Sequence, residues 1–153
     1  MERQQRQYCG LHALRNLLRV NDITVADMNR AARWCADMSN DVPGNHMDRN
    51  GNWSLGALKK VLRDRGYKIS RAAVVKRQAV RWNIPSMSEC MDEADAVGFI
   101  ILSRNHFTSL RKMNGAWEYC DSLKDRPYYV AGSVFSTAVL NQECTAFLVQ
   151  RTI

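Results

Sequence analysis

Cys9, His106 and Asp121 are side chains of the types that acyl transfer through a thiol requires. A cysteine attacks a carbonyl as its thiolate, a histidine takes or holds the proton, and a carboxylate fixes the tautomer of the imidazole and steadies its charge. Gln4, five residues ahead of Cys9, carries an amide that can donate to the oxyanion such an attack creates. Gly10 follows the thiol and would leave the backbone open to close approach by a substrate carbonyl. His46 is a rival base, ranked below His106 because it lies in a polar, glycine-containing stretch that would hold a base less rigidly than a strand does.

These residues need elements to bring them together. Leu11, Leu14, Leu17 and Leu18 recur at spacings of three and four, which predicts a helix starting near Cys9 that buries one leucine stripe. Cys9 then sits in the first turn, where unpaired N–H groups and the positive end of the helix dipole favour a thiolate and lower a cysteine pKa from about 8.5 toward neutrality. Val97 to Leu102 is an apolar run of the kind a buried strand shows. His106 to Lys112 and Ala116 to Asp121 read as two strands joined by Asn114-Gly115, a strong hairpin signal. The start of one hairpin strand lies beside the end of the next, so His106 and Asp121 can stand side by side.

Around that nucleus the chain predicts further elements. Thr24 is a good N-cap with Asp27 placed to complete a capping arrangement, and Val25, Met28, Ala32 and Cys35 have helical spacing. Residues 39 to 52 are polar and rich in glycine, asparagine and aspartate, which marks a loop. Another helix starts at Ser54, buries Leu55, Leu58, Val61 and Leu62, and stops at Gly66. A short strand is expected over Tyr67 to Ser70, a short helix over Ser133 to Leu140 beyond the interruption at Pro127, and a last strand over Cys144 to Gln150.

Composition narrows the class. At 153 residues and 46% apolar, the chain suits one domain with a real core. It has no run approaching a membrane span and no apolar segment near Met1 that could act as a secretory signal, so an intracellular protein of the cytoplasm or nucleus is expected. Cys9, Cys35, Cys90, Cys120 and Cys144 are scattered and form no C-x-x-C pair, which argues against a disulfide framework or a metal site. Much of the +7 formal charge comes from residues 59 to 81, where Lys59, Lys60, Arg63, Arg65, Lys68, Arg71, Lys76, Arg77 and Arg81 face only Asp64. With Tyr67 and Trp82 as the only aromatics there and no nucleic-acid motif, a solvated helix face explains the charge better than nucleic-acid binding does.

QQRQYCGLHALRNLL (residues 4–18), GNWSLGALKKVL (51–62) and NHFTSLRKMNGAWEYCDSL (105–123) resemble the Josephin domain, the cysteine-protease module of a group of deubiquitinating enzymes. That family's pattern places a glutamine five residues before the nucleophile, then C-x-x-H-x-L-x-N, a G-N-[YFW] segment opening a helix, and H-[WF] with Asn or Asp fifteen residues after the histidine. This chain supplies Gln4, Cys9, His12, Leu14, Asn16, Gly51-Asn52-Trp53, His106 and Asp121, and it departs in having Phe107 for the usual Trp and Asp121 for Asn. His12 fits as a structural hydrogen-bonding residue. Gln4 lies three residues from the chain start, where a donor is expected to be held loosely until substrate binds. The stretch that can carry a long helical arm in this family is short here, which implies a reduced or absent arm.

The resemblance implies an α+β, papain-like cysteine protease fold, a helical subdomain packed on an antiparallel sheet with the cleft between, in one Josephin-like catalytic domain over residues 1–153. It implies a deubiquitinase that uses no cofactor, acts as a monomer on ubiquitin or polyubiquitin conjugates, and cleaves after the terminal glycine of ubiquitin through a thioester. The catalytic residues are Cys9, His106 and Asp121, and the oxyanion donors are Gln4 and the N–H of Cys9. Ubiquitin ends in an arginine-bearing tail and two glycines, so some of the acidic residues Glu89, Asp92, Glu93 and Asp95 are expected to receive the arginines while a narrow groove beside Cys9 admits only glycine. The rivals are a bacteriocin-processing type of double-glycine peptidase, which does not account for the C-x-x-H-x-L-x-N pattern, and a ubiquitin-binding module without catalysis.

Overall fold

Helix α1 (Cys9–Leu18) buries Leu11, Leu14 and Leu17 as its spacing requires, while Leu18 is half-buried at the margin of the same core. The structure, a computed structural model, describes residues 8–47, 52–76, 79–82, 95–113, 116–121, 128–130 and 143–152. Gln4, the Asn114-Gly115 turn, Pro127 and the helix expected over 133–140 lie outside the described residues.

Helix α2 (Val25–Met38) begins with a full capping box: the Thr24 hydroxyl accepts the Asp27 N–H, and the Asp27 carboxylate accepts the Thr24 N–H at 2.9 Å. Between α2 and α3 the described residues form a 3-10 turn at Pro43–Asn45 and one bridge, Met47 to Trp53. Helix α3 (Leu55–Asp64) is capped by Ser54, whose hydroxyl accepts the Ala57 N–H. It buries Ala57, Leu58, Val61 and Leu62, and the chain leaves it through Gly66 at a φ of +87°, a conformation that suits glycine.

Seven described strands form one sheet: β1 (Tyr67–Lys76), β2 (Ala79–Trp82), β3 (Ala96–Ser103), β4 (His106–Met113), β5 (Ala116–Cys120), β6 (Tyr128–Val130) and β7 (Cys144–Arg151). Their order is β2-β1-β7-β3-β4-β5-β6, every neighbouring pair antiparallel. β1 runs past the expected end at Ser70 because β7 pairs with it as far as Val75. The basic stretch is therefore not one helix face: Lys59, Lys60 and Arg63 lie on α3, Lys68, Arg71 and Lys76 on β1, and Arg81 on β2. β7, last in the chain, is inserted between β1 and β3.

Helix α1 lies on β3 and β4, α3 on β1, and α2 on α3. One core joins the helices to the sheet through Leu14, Leu58, Ile100, Phe107 and Val149. Two glycines permit the close approach of α1. At Gly98 (φ +151°) a Cβ would collide with the Leu110 carbonyl oxygen and lie 2.9 Å from a Leu17 methyl. At Gly10 a Cβ would lie 3.0 Å from a Leu58 methyl and 3.5 Å from the Phe107 ring. Gly10 is thus a packing glycine between α1, α3 and β4, rather than an opening for substrate.

Candidate active site

Cys9 is the first residue of α1 and is 4% exposed. Tyr8, at the N-cap, makes no side-chain bond to this helix, and the first N–H groups of a helix are the ones suited to an oxygen anion. The other described thiols are unsuited to attack. Burial raises the pKa of Cys35 and pushes that of Cys144 up to about 11; burial and then a hydrogen bond to Glu118 push Cys120 up to about 12.

His106 is delivered to Cys9 by a tight turn. Ser103 pairs with His106 in the β3–β4 register, and the two residues between them, Arg104 and Asn105, both have positive φ, +50° and +61°. Such a turn matches the right-handed twist of the strands it joins. It brings the Asn105 carbonyl to 3.9 Å from Cys9 Sγ and starts β4 at His106.

Register then brings in Asp121. Leu110 opposes Tyr119, and steps of two along each strand put His106 and Asp121 on the same face. His106 Nε2 lies 2.7 Å from Asp121 Oδ1, with both side chains largely shielded from solvent. Cys9 lies close enough to the imidazole to raise its pKa, and with Nε2 taken by Asp121, Nδ1 is the nitrogen left for the thiol. The bond to Asp121 foremost, then the nearby Cys9, push the His106 pKa up from 6.5 to about 9 against the opposing effect of burial. An imidazole so held keeps a proton at neutral pH, which suits a thiolate–imidazolium pair and later donation to a leaving amine.

A cleft of about 350 Å³ opens beside the sulfur. Trp53, Leu55, Leu102 and Phe107 supply apolar wall, and Asn52, Ser54 and Asn105 supply polar atoms. Trp53 is fixed at both sides: its indole N–H donates to Asn29 Oδ1 at 3.0 Å, and its ring packs on Tyr8 with centroids 5.4 Å apart. Asn29, Asn105 and Tyr8 did not stand out in the sequence. Asn105 carries the one usable signal, since asparagine tolerates positive φ better than most residues; nothing local marks Asn29.

The remaining candidates lie elsewhere. His46 Nδ1 is 2.9 Å from Ser54 Oγ and its Nε2 is 3.4 Å from Asp41, so it braces the approach to α3. His12 is buried in α1. Asp95 precedes β3, at the end away from Ser103 and His106, about 26 Å along the strand at the usual rise of 3.3 Å per residue. Its carboxylate accepts a hydrogen bond from Gln150 at 3.2 Å. Glu89, Asp92 and Glu93 lie outside the described residues, as Gln4 does. Among the described residues no cluster of His, Cys, Asp or Glu could hold a metal ion, and no helix is long and apolar enough to cross a membrane.

A family model described as Josephin matches residues 4–149. The chain is also similar to a protein named Ataxin-3 homolog from Caenorhabditis briggsae, at 26% identity over 136 residues, covering 82% of this chain and 40% of the relative. It therefore spans about two fifths of the length of the curated relative it matches.

Proposed function

The chain belongs to the Josephin family, a family associated with deubiquitinase activity, and from that premise we propose that it is a cysteine-type deubiquitinase acting on ubiquitin or polyubiquitin conjugates within the cell. The observation that carries this reading is the imidazole of His106 bonded to Asp121 at 2.7 Å and lying close enough to Cys9 for the thiol to raise its pKa, with Cys9 the first residue of α1.

The Cys9 thiolate attacks the carbonyl carbon of ubiquitin's terminal glycine. The carbonyl electrons move to oxygen, which is held by the Cys9 N–H and the Gln4 amide. Collapse of this intermediate expels the amine, which takes the proton from His106 and leaves a thioester. His106, now neutral, removes a proton from water, and the hydroxide displaces the Cys9 sulfur to release ubiquitin. The cleft of about 350 Å³ beside Cys9, with Asn52, Ser54 and Asn105 among its polar lining and Trp53 and Phe107 among its apolar walls, supports binding of an extended peptide tail next to the sulfur. Recognition of the arginines is assigned to some of Glu89, Asp92, Glu93 and Asp95, and charge reversal at Asp92 and Glu93 is expected to raise KM.

Ubiquitin bearing a C-terminal electrophile tests the proposal directly when it is incubated with wild type and Cys9→Ala and the products are read by intact mass. One ubiquitin adduct on the wild type alone is expected. No adduct on a folded chain whose Cys9 still reacts with a small alkylating agent would overturn ubiquitin as the substrate.

A further inference from the structure

At the end of the sheet away from His106, a second hollow of about 270 Å³ opens between the last turn of α1 and the sheet. Five residues along β4 separate His106 from Arg111, so this hollow lies about 17 Å from the thiol cleft at the usual strand rise. Its charged lining is Arg111, Lys112 and Arg151, with Leu17, Tyr67 and Val97 among its walls and no acidic residue. Arg111 Nη1 is buried and has no hydrogen-bond partner among the described residues. Burial and then the nearby charge of Arg19 hold the Arg111 pKa below its ordinary value.

Two carboxylates lie nearby. Glu118, opposite Arg111 in the β4–β5 register, accepts the Cys120 thiol at 3.2 Å, and its charge partly offsets the lowering of the Arg111 pKa without hydrogen-bonding Nη1. Asp95, beside the hollow, accepts the Gln150 amide. A guanidinium carries five N–H donors in a fixed fork, and a buried donor without an acceptor is costly enough that it calls for an explanation. An acceptor supplied by a ligand provides one.

We propose that this hollow binds a small phosphorylated anion, of phosphate to diphosphate size, with Arg111 as the buried donor and Lys112 and Arg151 as flanking charges. Arginine's fork matches two phosphate oxygens at once. The volume falls just below the roughly 300–1,000 Å³ of pockets that take drug-sized ligands, so the occupant is small. The carboxyl end of α1 disfavours an anion here, but a helix-end dipole is weaker than one charge-assisted hydrogen bond, and the hollow presents three cations.

The test is titration of the isotope-labelled chain with inorganic pyrophosphate and, separately, with ADP, read by amide chemical shifts. Saturable shifts centred on Arg111, Lys112 and Arg151 are expected with both. Equal affinity assigns the binding to the phosphates alone, and tighter binding of ADP assigns the site to a nucleotide. Arg151→Gln, at an exposed position that leaves the fold intact, should weaken binding about tenfold, and Arg111→Gln by about tenfold or more. Shifts that do not saturate, or saturable binding that neither substitution weakens, would overturn the site.

Discussion

His106 and Asp121 meet through Nε2 and Oδ1 at 2.7 Å, and this bond decides which ring nitrogen serves Cys9. With Nε2 occupied, Nδ1 is the nitrogen left for the thiol, and the ring cannot rotate without losing a charge-assisted bond. The carboxylate therefore sets both the orientation and the proton affinity of the base.

Substitution at Asp121 separates those two effects. Asp121→Asn keeps an oxygen for the Nε2–H but removes the charge, so the ring stays oriented while the His106 pKa falls below the wild-type value of about 9. Asp121→Ala removes both, and turnover should fall by about 10²–10⁴-fold, the usual worth of a positioned acid–base group. NMR titration of the imidazole together with turnover of a ubiquitin substrate checks both variants. An unchanged His106 pKa in Asp121→Asn would show that the charge of Asp121 is not what raises it.

The pH dependence follows from the same residue. The folded-state pKa of His106 is raised from 6.5 to about 9, so the protonated form is the one the fold favours. That contribution to stability is complete below about pH 6.5 and is lost as pH rises through about 9. Urea unfolding across this range should show wild type losing its advantage over His106→Asn as pH rises. Activity on an isopeptide, whose amine leaving group needs a proton, should have an alkaline limb near pH 9, and a ubiquitin ester with a good leaving group should show little of it.

Much of this arrangement is legible in the chain because it rests on local signals. The leucine spacing gives α1, Thr24 with Asp27 gives the start of α2, and the apolar run from Val97 gives the core of β3. What local reading missed depends on residues distant in sequence. β1 continues to Lys76 because β7 pairs with it, and that partner is supplied only by the far end of the chain. The turn at Arg104-Asn105 is hard to read because arginine rarely takes positive φ, so Asn105 alone hints at a two-residue connection ahead of His106. Gly10 was misread because Leu58 and Phe107, which it accommodates, come from other elements.

The two packing glycines should respond differently to alanine. At Gly10 the obstacle is a movable Leu58 methyl, and alanine gains roughly 0.8–1 kcal/mol of helix propensity, so the net change should stay within about 1 kcal/mol. At Gly98 the obstacle is a backbone carbonyl and φ is +151°, so Gly98→Ala should cost about 3 kcal/mol or more. Urea midpoints at constant slope measure the difference. Equal destabilisation would contradict the distinction between a yielding side chain and a rigid backbone.

Gln4→Ala tests the oxyanion donor proposed above. Loss of one such donor typically costs about 3 kcal/mol of transition-state stabilisation, so kcat should fall by about two to three orders of magnitude with the melting temperature unchanged. Normal turnover in this variant would remove Gln4 from the mechanism.

Asn29 offers a test of how the cleft wall is held. Its side-chain oxygen accepts the indole N–H of Trp53 at 3.0 Å, and the same indole packs on Tyr8, the residue before the nucleophile. Asn29→Leu leaves that N–H without its acceptor in a site where Trp53 is only 5% exposed, a cost of about 1–3 kcal/mol that the ring can lower by tilting toward solvent. A tilted ring opens the cleft and shifts Tyr8, so KM for ubiquitin substrates should rise while the His106 pKa stays near its wild-type value, because Asp121 is untouched. Asn29→Asp, which restores an acceptor, should recover most of the lost affinity. If Asn29→Leu lowers stability but leaves KM unchanged, Trp53 is core alone and the wall of the cleft is set by Leu55, Leu102 and Phe107.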